Sequence, residues 1–196
     1  VSYGAYVPRL RIKTEEIAKV QGKNPDFIVK ELLIEEKSVP EKDEDSLTMG
    51  FEASLNALRK TDIDKKKIGA IYSGSESPVY AVKPNASMIG EALGIGENYT
   101  SADVEFACKA GTAAVQIVLG LVKSGMIKYG LAIGADAAEY DVENIGDQST
   151  GAGSAAFVLG KDKGGIIAEI EETLSYTSDT TDFWRRPHIR YPTHAA

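Results

Sequence analysis

The sequence predicts an α/β fold with a mixed, mostly parallel central sheet, and three observations support this prediction. Short apolar runs alternate along the chain with segments of helical periodicity. Two of these runs, residues 68–73 and 129–137, are predominantly apolar, which is typical of strands buried on both faces of a sheet. Turn residues, rather than low-complexity linkers, separate the predicted elements. The pattern therefore indicates a sheet covered by helices, within one domain or one large half of a domain.

The first third of the chain predicts one strand and three helices, each with a local cause. A β-prone run at residues 2–7 comes first. Thr14 suits the N-cap of a helix that ends before Gly22. Pro25 suits the first turn of the next helix, because its fixed φ is helical and its missing N–H is not needed there. An acidic segment precedes the third helix, at residues 46–59, and complements the positive end of the helix dipole.

The remainder of the chain continues the alternation. The predicted elements are a strand at 68–73, a helix at 84–93, a strand at 100–105, a helix at 109–123, a strand at 129–137, and a β-hairpin of strands 155–159 and 166–170 around a turn at 161–165. Gly94 and Gly125 stop the two helices. Residues 139–151 form a polar loop between strands. Residues 175–196 are polar and lack core periodicity, so they are predicted to form a long loop.

Composition excludes several classes of partner. The net charge is −7, which argues against nucleic acid or an anionic membrane as the main partner, since both attract basic surfaces. No apolar run is long enough to span a bilayer. The single cysteine cannot form an internal disulfide, so a reducing, cytoplasmic setting is expected.

That single cysteine, Cys108, lies between a predicted strand and the most strongly predicted helix. The small residues Gly111, Ala113 and Ala114 follow it and leave room for a ligand to approach the backbone. The dipole and the free N–H groups of a helix start would favour the thiolate over the thiol. From this pattern alone, a nucleophile and a packed structural cysteine both remain open.

Glu76 is the second candidate for chemistry. It follows a predicted buried strand, in the position where open α/β sheets bind their ligands. A carboxyl group in such a partly apolar cleft would have a raised pKa, which suits a general acid or base. A solvated loop glutamate would produce the same local pattern.

Other polar residues give weaker signals. His188 and His194 lie in the polar C-terminal segment and are interpreted as loop histidines. Arg185 and Arg186 could bind phosphate groups through charge-assisted hydrogen bonds, or could be solvated. The sequence contains no Walker loop, CxxC or HExxH motif, so no metal site and no bound cofactor are predicted.

Several longer motifs together resemble a known family. They are FACKAGTAA around Cys108, GSESPVYAVKP around Glu76, EKSVPEKDEDS at residues 36–46, KYGLAIGAD at residues 128–136, and SYTSDTTDFWRR followed by YP at residues 175–192. The chain is similar from Tyr3 onward to archaeal-type 3-hydroxy-3-methylglutaryl-CoA synthases of the thiolase superfamily. The cysteine motif indicates only the superfamily, whereas Glu76 in its SES setting and the DFWRR segment are the more specific parts.

The resemblance implies a fold and a reaction. The fold is the thiolase-like αβαβα layered fold, of which this chain would be the first of two similar halves. The reaction joins acetyl-CoA to acetoacetyl-CoA in the mevalonate pathway. Cys108 would carry the acetyl group, and Glu76 would remove or shuttle a proton. Both CoA thioesters are substrates, so no separate cofactor is implied.

The same resemblance implies substrate contacts and partners. Thr150 and Ser149 match a segment that contacts substrate, and Pro25 and Asp26 match a loop that touches the CoA arm. Family members are homo-oligomers, and archaeal members are associated with acetoacetyl-CoA thiolase and a small CoA-docking protein.

One feature departs from the family pattern. The family's catalytic histidine and a supporting asparagine come more than a hundred residues after the cysteine, and neither His188 nor His194 matches that histidine. We therefore expect residues 1–174 to be the N-terminal thiolase-like half, and residues 175–196 to begin the connection to a C-terminal half. Little condensing activity is expected from these 196 residues alone.

Two alternative functions remain open. The first is a chain-initiating ketoacyl-carrier-protein synthase of the same superfamily, which shares the cysteine but has no need of Glu76. The second is a non-catalytic CoA-binding scaffold in which Cys108 is structural.

Overall fold

A five-stranded mixed sheet forms the centre of the computed structural model, which describes residues 1–161 and 165–194. The elements in chain order are β1 (Ser2–Tyr6), β2 (Leu10–Lys13), α1 (Thr14–Val20), α2 (Pro25–Leu32), β3 (Glu36–Val39), α3 (Ser46–Leu58), β4 (Ile68–Gly74), α4 (Asn85–Leu93), β5 (Thr100–Val104), α5 (Ala110–Ser124), β6 (Tyr129–Asp136), β7 (Gly153–Gly160), β8 (Phe183–Trp184) and β9 (Thr193–His194). Within the described residues, no helix is both long and apolar enough to cross a membrane.

The strand order of the central sheet is β1-β7-β6-β4-β5. Strand β4 runs parallel to both β5 and β6, whereas β7 is antiparallel to β6 and β1 is antiparallel to β7. The sheet is therefore mixed, as the sequence predicts. Because β4, β5 and β6 run in one direction, their carboxyl ends meet at the same edge of the sheet.

Helices cover both faces of this sheet. Helices α3 and α4 pack on one face, where the main core contains Ile71, Ile89, Leu131 and Ile133, all fully buried. Helix α5 packs on the other face through residues such as Val118. The predicted helices and buried strands are thus present, with their ends displaced by only a few residues.

The acidic segment before α3 has a specific capping role. The Asp45 carboxylate accepts a hydrogen bond from the backbone N–H of Thr48 at 2.7 Å, and the Thr48 hydroxyl accepts one from the N–H of Asp45 at 2.8 Å. This reciprocal pair is a capping box, which satisfies N–H groups that the first helical turn leaves free.

The predicted N-cap role of Thr14 is wrong. Lys13 occupies the N-cap position, and Thr14 is the first residue of α1. Strand β2 continues directly into α1, and the N–H of Thr14 donates to the carbonyl of Glu35 at 2.9 Å. Thr14 is therefore buried by the chain that leads into β3, a long-range contact that a local pattern does not reveal.

The predicted β-hairpin of strands 155–159 and 166–170 is also wrong, because only its first strand forms. Strand β7 forms, but residues 166–170 are not in a strand. Residues 162–164 of the predicted turn lie outside the described residues. The neighbour of β7 on the side away from β6 is β1, from the opposite end of the chain. Both edges of β7 are therefore already paired, and no edge remains for a hairpin partner.

Glycines allow α5 to approach the sheet at backbone distance. A Cβ atom at Gly74, the last residue of β4, would lie 2.2 Å from the carbonyl group of Ala110. A Cβ atom at Gly111 would lie 3.3 Å from the Cα of Gly134 in β6. The start of α5 is thus held directly against the ends of two parallel strands.

Substitution at this contact should be far more damaging than at a nearby open glycine. We expect Gly74→Ala to destabilise the protein by about 3 kcal/mol or more, because backbone atoms cannot yield to the added methyl group. Gly120→Ala, in α5, is the matched control, since a Cβ atom at that position would have no neighbour within 4 Å. It should stabilise by up to about 1 kcal/mol through helix propensity. Urea unfolding measures both, and equal effects would contradict this assignment of the contact.

Candidate functional site

Cys108 lies in a tight turn between β5 and α5. Residues Ala107–Lys109 form a single 3₁₀ turn that leads directly into α5. Ala107 has a φ of 39°, a left-handed conformation that costs a non-glycine residue about 1 kcal/mol or more. The Cys108 side chain is exposed. The thiol is therefore presented at the sheet edge by a strained turn and is not packed in the core.

Glu76 projects from the loop that follows β4, at the same edge of the sheet. Its Oε1 atom accepts a hydrogen bond from the Tyr140 hydroxyl at 3.4 Å. Its Oε2 atom is buried and has no hydrogen-bond partner among the described residues. A buried carboxylate oxygen without a partner is energetically unfavourable. It is therefore free to accept a proton or a hydrogen bond from a ligand.

Asp136, the last residue of β6, holds the Glu76 loop in place. Its Oδ1 atom accepts hydrogen bonds from the N–H of Glu76 at 2.7 Å, from the Ser75 hydroxyl at 2.9 Å and from the Ser77 hydroxyl at 3.0 Å. The N–H of Ser77 donates to the same atom at 3.2 Å. The sequence analysis did not identify Asp136. Its position at the end of a buried strand parallel to β4 is the signal that could have found it.

The electrostatics of this site disfavour ionisation of its acidic groups. Burial raises the pKa of Glu76, and the nearby charge of Asp136 raises it further. Burial also raises the pKa of the Cys108 thiol, with additional contributions from the charges of Glu76 and Asp136.

The expectation that the helix start would favour the Cys108 thiolate is therefore wrong for the free protein. The regular turns of α5 begin at Ala110, two residues beyond the sulfur. Partial burial and the charges of the two carboxylates outweigh the backbone hydrogen bond that lowers the thiol pKa. The resting thiol is thus predominantly protonated and needs a base when it reacts.

Tyr140 links Glu76 to the loop before β7. Burial, followed by the charge of Glu76, raises the pKa of Tyr140 to about 12, and a hydrogen bond with the Thr150 side chain acts in the opposite direction. Tyr140 therefore remains protonated and can donate to Glu76. Thr150 therefore lies near Tyr140, a residue that was not predicted from the sequence.

The other predicted substrate-binding residues lie further out. Ser149 is exposed, next to Thr150. Pro25 and Asp26 form the first turn of α2, where the Asn24 side chain accepts a hydrogen bond from the N–H of Asp26 at 3.0 Å. In the part of the chain that the structure describes, none of the four predicted substrate-binding residues, Thr150, Ser149, Pro25 and Asp26, lines either of the two cavities beside Glu76.

Two cavities open on either side of Glu76. The larger, about 260 Å³, is lined by Asp45, Glu76, Ser77, Pro78, Val79, Ala137, Ala138, Glu139, Tyr140, Arg185, Arg190 and Pro192. The smaller, about 210 Å³, borders the Cys108 turn and is lined by Glu76, Glu105, Phe106, Ala107, Phe183, Trp184, Arg185 and Pro192. Phe183, Trp184 and Arg185 of the DFWRR segment therefore form part of the wall of the smaller cavity.

An arginine of that segment approaches the site, and the two histidines that follow the segment do not line either cavity. The Arg185 guanidinium donates to the backbone carbonyl of Glu76 at 3.5 Å. His194 stacks against Phe183, with ring centroids 4.8 Å apart, and His188 is exposed. Residues 1–161 and 165–194 contain no cluster of three histidine, cysteine or acidic side chains that could hold a metal ion.

Removing the Glu76 charge should make Cys108 more reactive. Glu76→Gln eliminates a negative charge that raises the thiol pKa, so the thiolate fraction near neutral pH rises. We expect the pH midpoint of Cys108 alkylation by iodoacetamide to fall, and the rate at pH 7 to increase severalfold. Glu105→Gln, beside the same cavity, is the control and should leave the midpoint unchanged. A midpoint that stays constant or rises in Glu76→Gln would show that the two groups are not coupled.

The chain is similar to several known proteins. The chain is 58% identical over 194 residues to a hydroxymethylglutaryl-CoA synthase of Methanopyrus kandleri, and 54% identical over 194 residues to one of Methanocaldococcus jannaschii. The alignments cover 99% of this chain but 55% and 56% of those relatives. The chain thus spans about half the length of the curated relatives it matches. No family model matches the chain.

Solved structures show the same relationship. A crystal structure of an HMG-CoA synthase complexed with CoA superposes with a TM-score of 0.88 at 28% identity, covering 99% of this chain and 49% of the other. A β-ketoacyl-acyl carrier protein synthase III from Thermus thermophilus superposes with a TM-score of 0.75 at 23% identity, covering 84% of this chain and 52% of the other, which supports the fold alone. The predicted thiolase-like fold is therefore confirmed. The resemblance stated from the sequence is confirmed as well, since almost the entire chain is similar to about half of an archaeal hydroxymethylglutaryl-CoA synthase.

Proposed function

We propose that the full-length protein carrying this sequence condenses acetyl-CoA with acetoacetyl-CoA to give 3-hydroxy-3-methylglutaryl-CoA. The observation that carries this proposal is the pairing of an exposed thiol at Cys108 with the unpartnered carboxylate oxygen of Glu76 at one sheet edge. The similarity to proteins named hydroxymethylglutaryl-CoA synthase supports it independently.

The first chemical step is transfer of the acetyl group. The Cys108 sulfur attacks the thioester carbonyl of acetyl-CoA, its proton passes to a base, and CoA leaves as a thiol after gaining a proton. The raised pKa of Cys108 means that this deprotonation has to accompany substrate binding. The backbone N–H of Cys108 is suited to stabilise the oxyanion that forms at the carbonyl.

The second step forms the carbon–carbon bond. The Glu76 carboxylate removes a proton from the methyl group of the acetyl thioester, and the resulting enolate carbon attacks the ketone carbon of acetoacetyl-CoA. The new alkoxide gains a proton. Water then hydrolyses the thioester to Cys108 and releases the product. A half-buried carboxylate with a raised pKa is basic enough for this proton transfer.

Substrate contacts and assembly belong to the same proposal. Thr150 and Ser149 contact the reacting part of the substrate, which the influence of the Thr150 side chain on the pKa of Tyr140 supports. Pro25 and Asp26, at the exposed start of α2, contact the CoA arm. The protein acts in the cytoplasm as a homo-oligomer, and its partners are acetoacetyl-CoA thiolase and a small CoA-docking protein.

A chain-initiating ketoacyl-carrier-protein synthase is the second candidate function. The structural similarity at 23% identity to such a synthase favours it at the level of the fold. The carboxyl group of Glu76 discriminates between the two reactions, since condensation by proton abstraction at this position requires it. A non-catalytic CoA-binding scaffold would require neither Glu76 nor a reactive Cys108.

The acyl-carrying role of Cys108 is tested by mass spectrometry. We expect the full-length protein to gain about 42 Da after incubation with acetyl-CoA, because an acetyl group replaces the thiol hydrogen. Peptide mapping should locate the adduct at Cys108, and Cys108→Ser should lack it. An intact protein with no adduct under these conditions would favour the scaffold function.

The role of Glu76 is tested by separating the two steps. Glu76→Ala should still form the acetyl adduct, but should lose about 10²–10⁴-fold in condensation rate, as is typical when a general base is removed. The adduct is measured by mass spectrometry and the condensation by loss of acetoacetyl-CoA absorbance. Glu105→Ala is the control and should retain both activities. A mild effect of Glu76→Ala on condensation would favour the ketoacyl-synthase alternative.

A further inference from the structure

A buried ion pair lies behind the loop that carries Thr150. The ammonium group of Lys37, in β3, is 2.5 Å from a carboxylate oxygen of Asp147, and the two side chains are 8% and 17% exposed. These residues are 110 positions apart in the sequence. Four other ion pairs of the described chain, by contrast, join side chains that are each at least 38% exposed.

Burial of such a pair needs an explanation beyond stability. Transferring two charges from water is costly, and apolar residues of similar volume would hold two segments together at least as well. An ion pair additionally fixes how the two segments are positioned, because both charges are satisfied only when the two side chains meet. A buried lysine and aspartate therefore suggest that the relative position of β3 and the Asp147 loop matters.

Further contacts fasten the same two segments. The N–H of Ala152 donates to the carbonyl of Ser38 at 3.1 Å, and the Ser38 hydroxyl donates to the carbonyl of Ala152. A Cβ atom at Gly151 would lie 2.8 Å from the Ser38 hydroxyl oxygen. Strand β3 is thus a rigid support for the chain on both sides of Thr150.

The supported loop leads directly to Glu76. The N–H of Thr150 donates to the carbonyl of Gly146 at 3.0 Å, one residue before Asp147. A Cβ atom at Gly146 would lie 2.8 Å from the ring of Tyr140, and the Tyr140 hydroxyl donates to Glu76 at 3.4 Å. A continuous series of contacts therefore runs from the ion pair to the carboxyl group at the site.

We propose that Lys37 is a positioning residue, which through Asp147 and the adjoining Gly146 sets the Tyr140 hydroxyl against Glu76 for the carbon–carbon bond-forming step. This inference rests on the proposed function. It assigns Lys37 no contact with substrate and no part in acetyl transfer to Cys108.

The test compares the two steps in single and double variants of the full-length protein. Lys37→Met should leave formation of the acetyl adduct within about twofold of wild type and lower condensation about tenfold or more, since a shift of about 1 Å in a supporting group can cost up to about 100-fold. Tyr140→Phe should cause a similar loss. The double variant should be no worse than the more damaged single variant, because both changes break one series of contacts. Lys37→Arg, which can retain the ion pair, should restore most of the rate.

A matched control distinguishes a positioning role of Lys37 from a general loss of stability. Leu93→Ala removes a buried core side chain of α4 and should lower the melting temperature without affecting condensation selectively. If Lys37→Met does not fold, Asp147→Asn provides the same comparison. Additive losses with Tyr140→Phe, or equal losses in both steps, would overturn the role of Lys37. A wild-type protein that forms no acetyl adduct would instead overturn the proposed function.

Discussion

The close approach of α5 to the parallel strands is the constraint on which the site depends. Gly74 is the last residue of β4 and lies against the backbone of Ala110 at the start of α5. Gly134 lies near the end of β6, against the backbone of Gly111. Side chains at these positions would push the helix away from the sheet. Because the glycines permit backbone contact, the turn that holds Cys108 is fixed beside the loop after β4 and the end of β6. One packing contact thereby brings together residues from three separate strands.

The electrostatic character of the site follows from that placement. Two carboxyl groups and a thiol share a partly buried edge, and each disfavours the charge of its neighbours. Four hydrogen bonds to one oxygen of Asp136 offset part of this cost and hold the Glu76 loop in a single conformation. Glu76 itself has a donor at only one of its two oxygens among the residues that the structure describes. Among the described residues, the aspartate thus accepts four hydrogen bonds, whereas the glutamate accepts a side-chain hydrogen bond at only one oxygen. The shortage of donors suits the glutamate for proton transfer.

Much of the fold could be predicted from the sequence, because the buried strands and α5 have strong local signals. The apolar runs of β4 and β6, and the glycine stops after α4 and α5, are properties of short segments. The pairing of β1 with β7 is not, since it joins the first and last strands of the central sheet and displaces a hairpin that local pattern favours. Strands β2 and β3 also escaped prediction, because all four residues of β2 are exposed and β3 shows no alternation of burial.

The candidate site could likewise be predicted only in part. Cys108 and Glu76 could be proposed from residue type and position after a strand, and the structure brings them to one edge. Asp136 could have been proposed from its place at the end of a buried strand. Tyr140 and the pair of Lys37 with Asp147 could not, because their roles arise from contacts between segments distant in sequence. The pKa of Cys108 is likewise raised by long-range features, since burial and the charges of Glu76 and Asp136 depend on how the fold surrounds the thiol.

The most direct test of this account is an experimental structure of the full-length protein after reaction with acetyl-CoA. The account predicts an acetyl group bonded to the Cys108 sulfur, with its methyl carbon within about 4 Å of a Glu76 carboxylate oxygen, as proton abstraction requires. An acetyl group on another residue would contradict it. A Glu76 side chain turned away from the acetyl group and engaged in other hydrogen bonds would do the same.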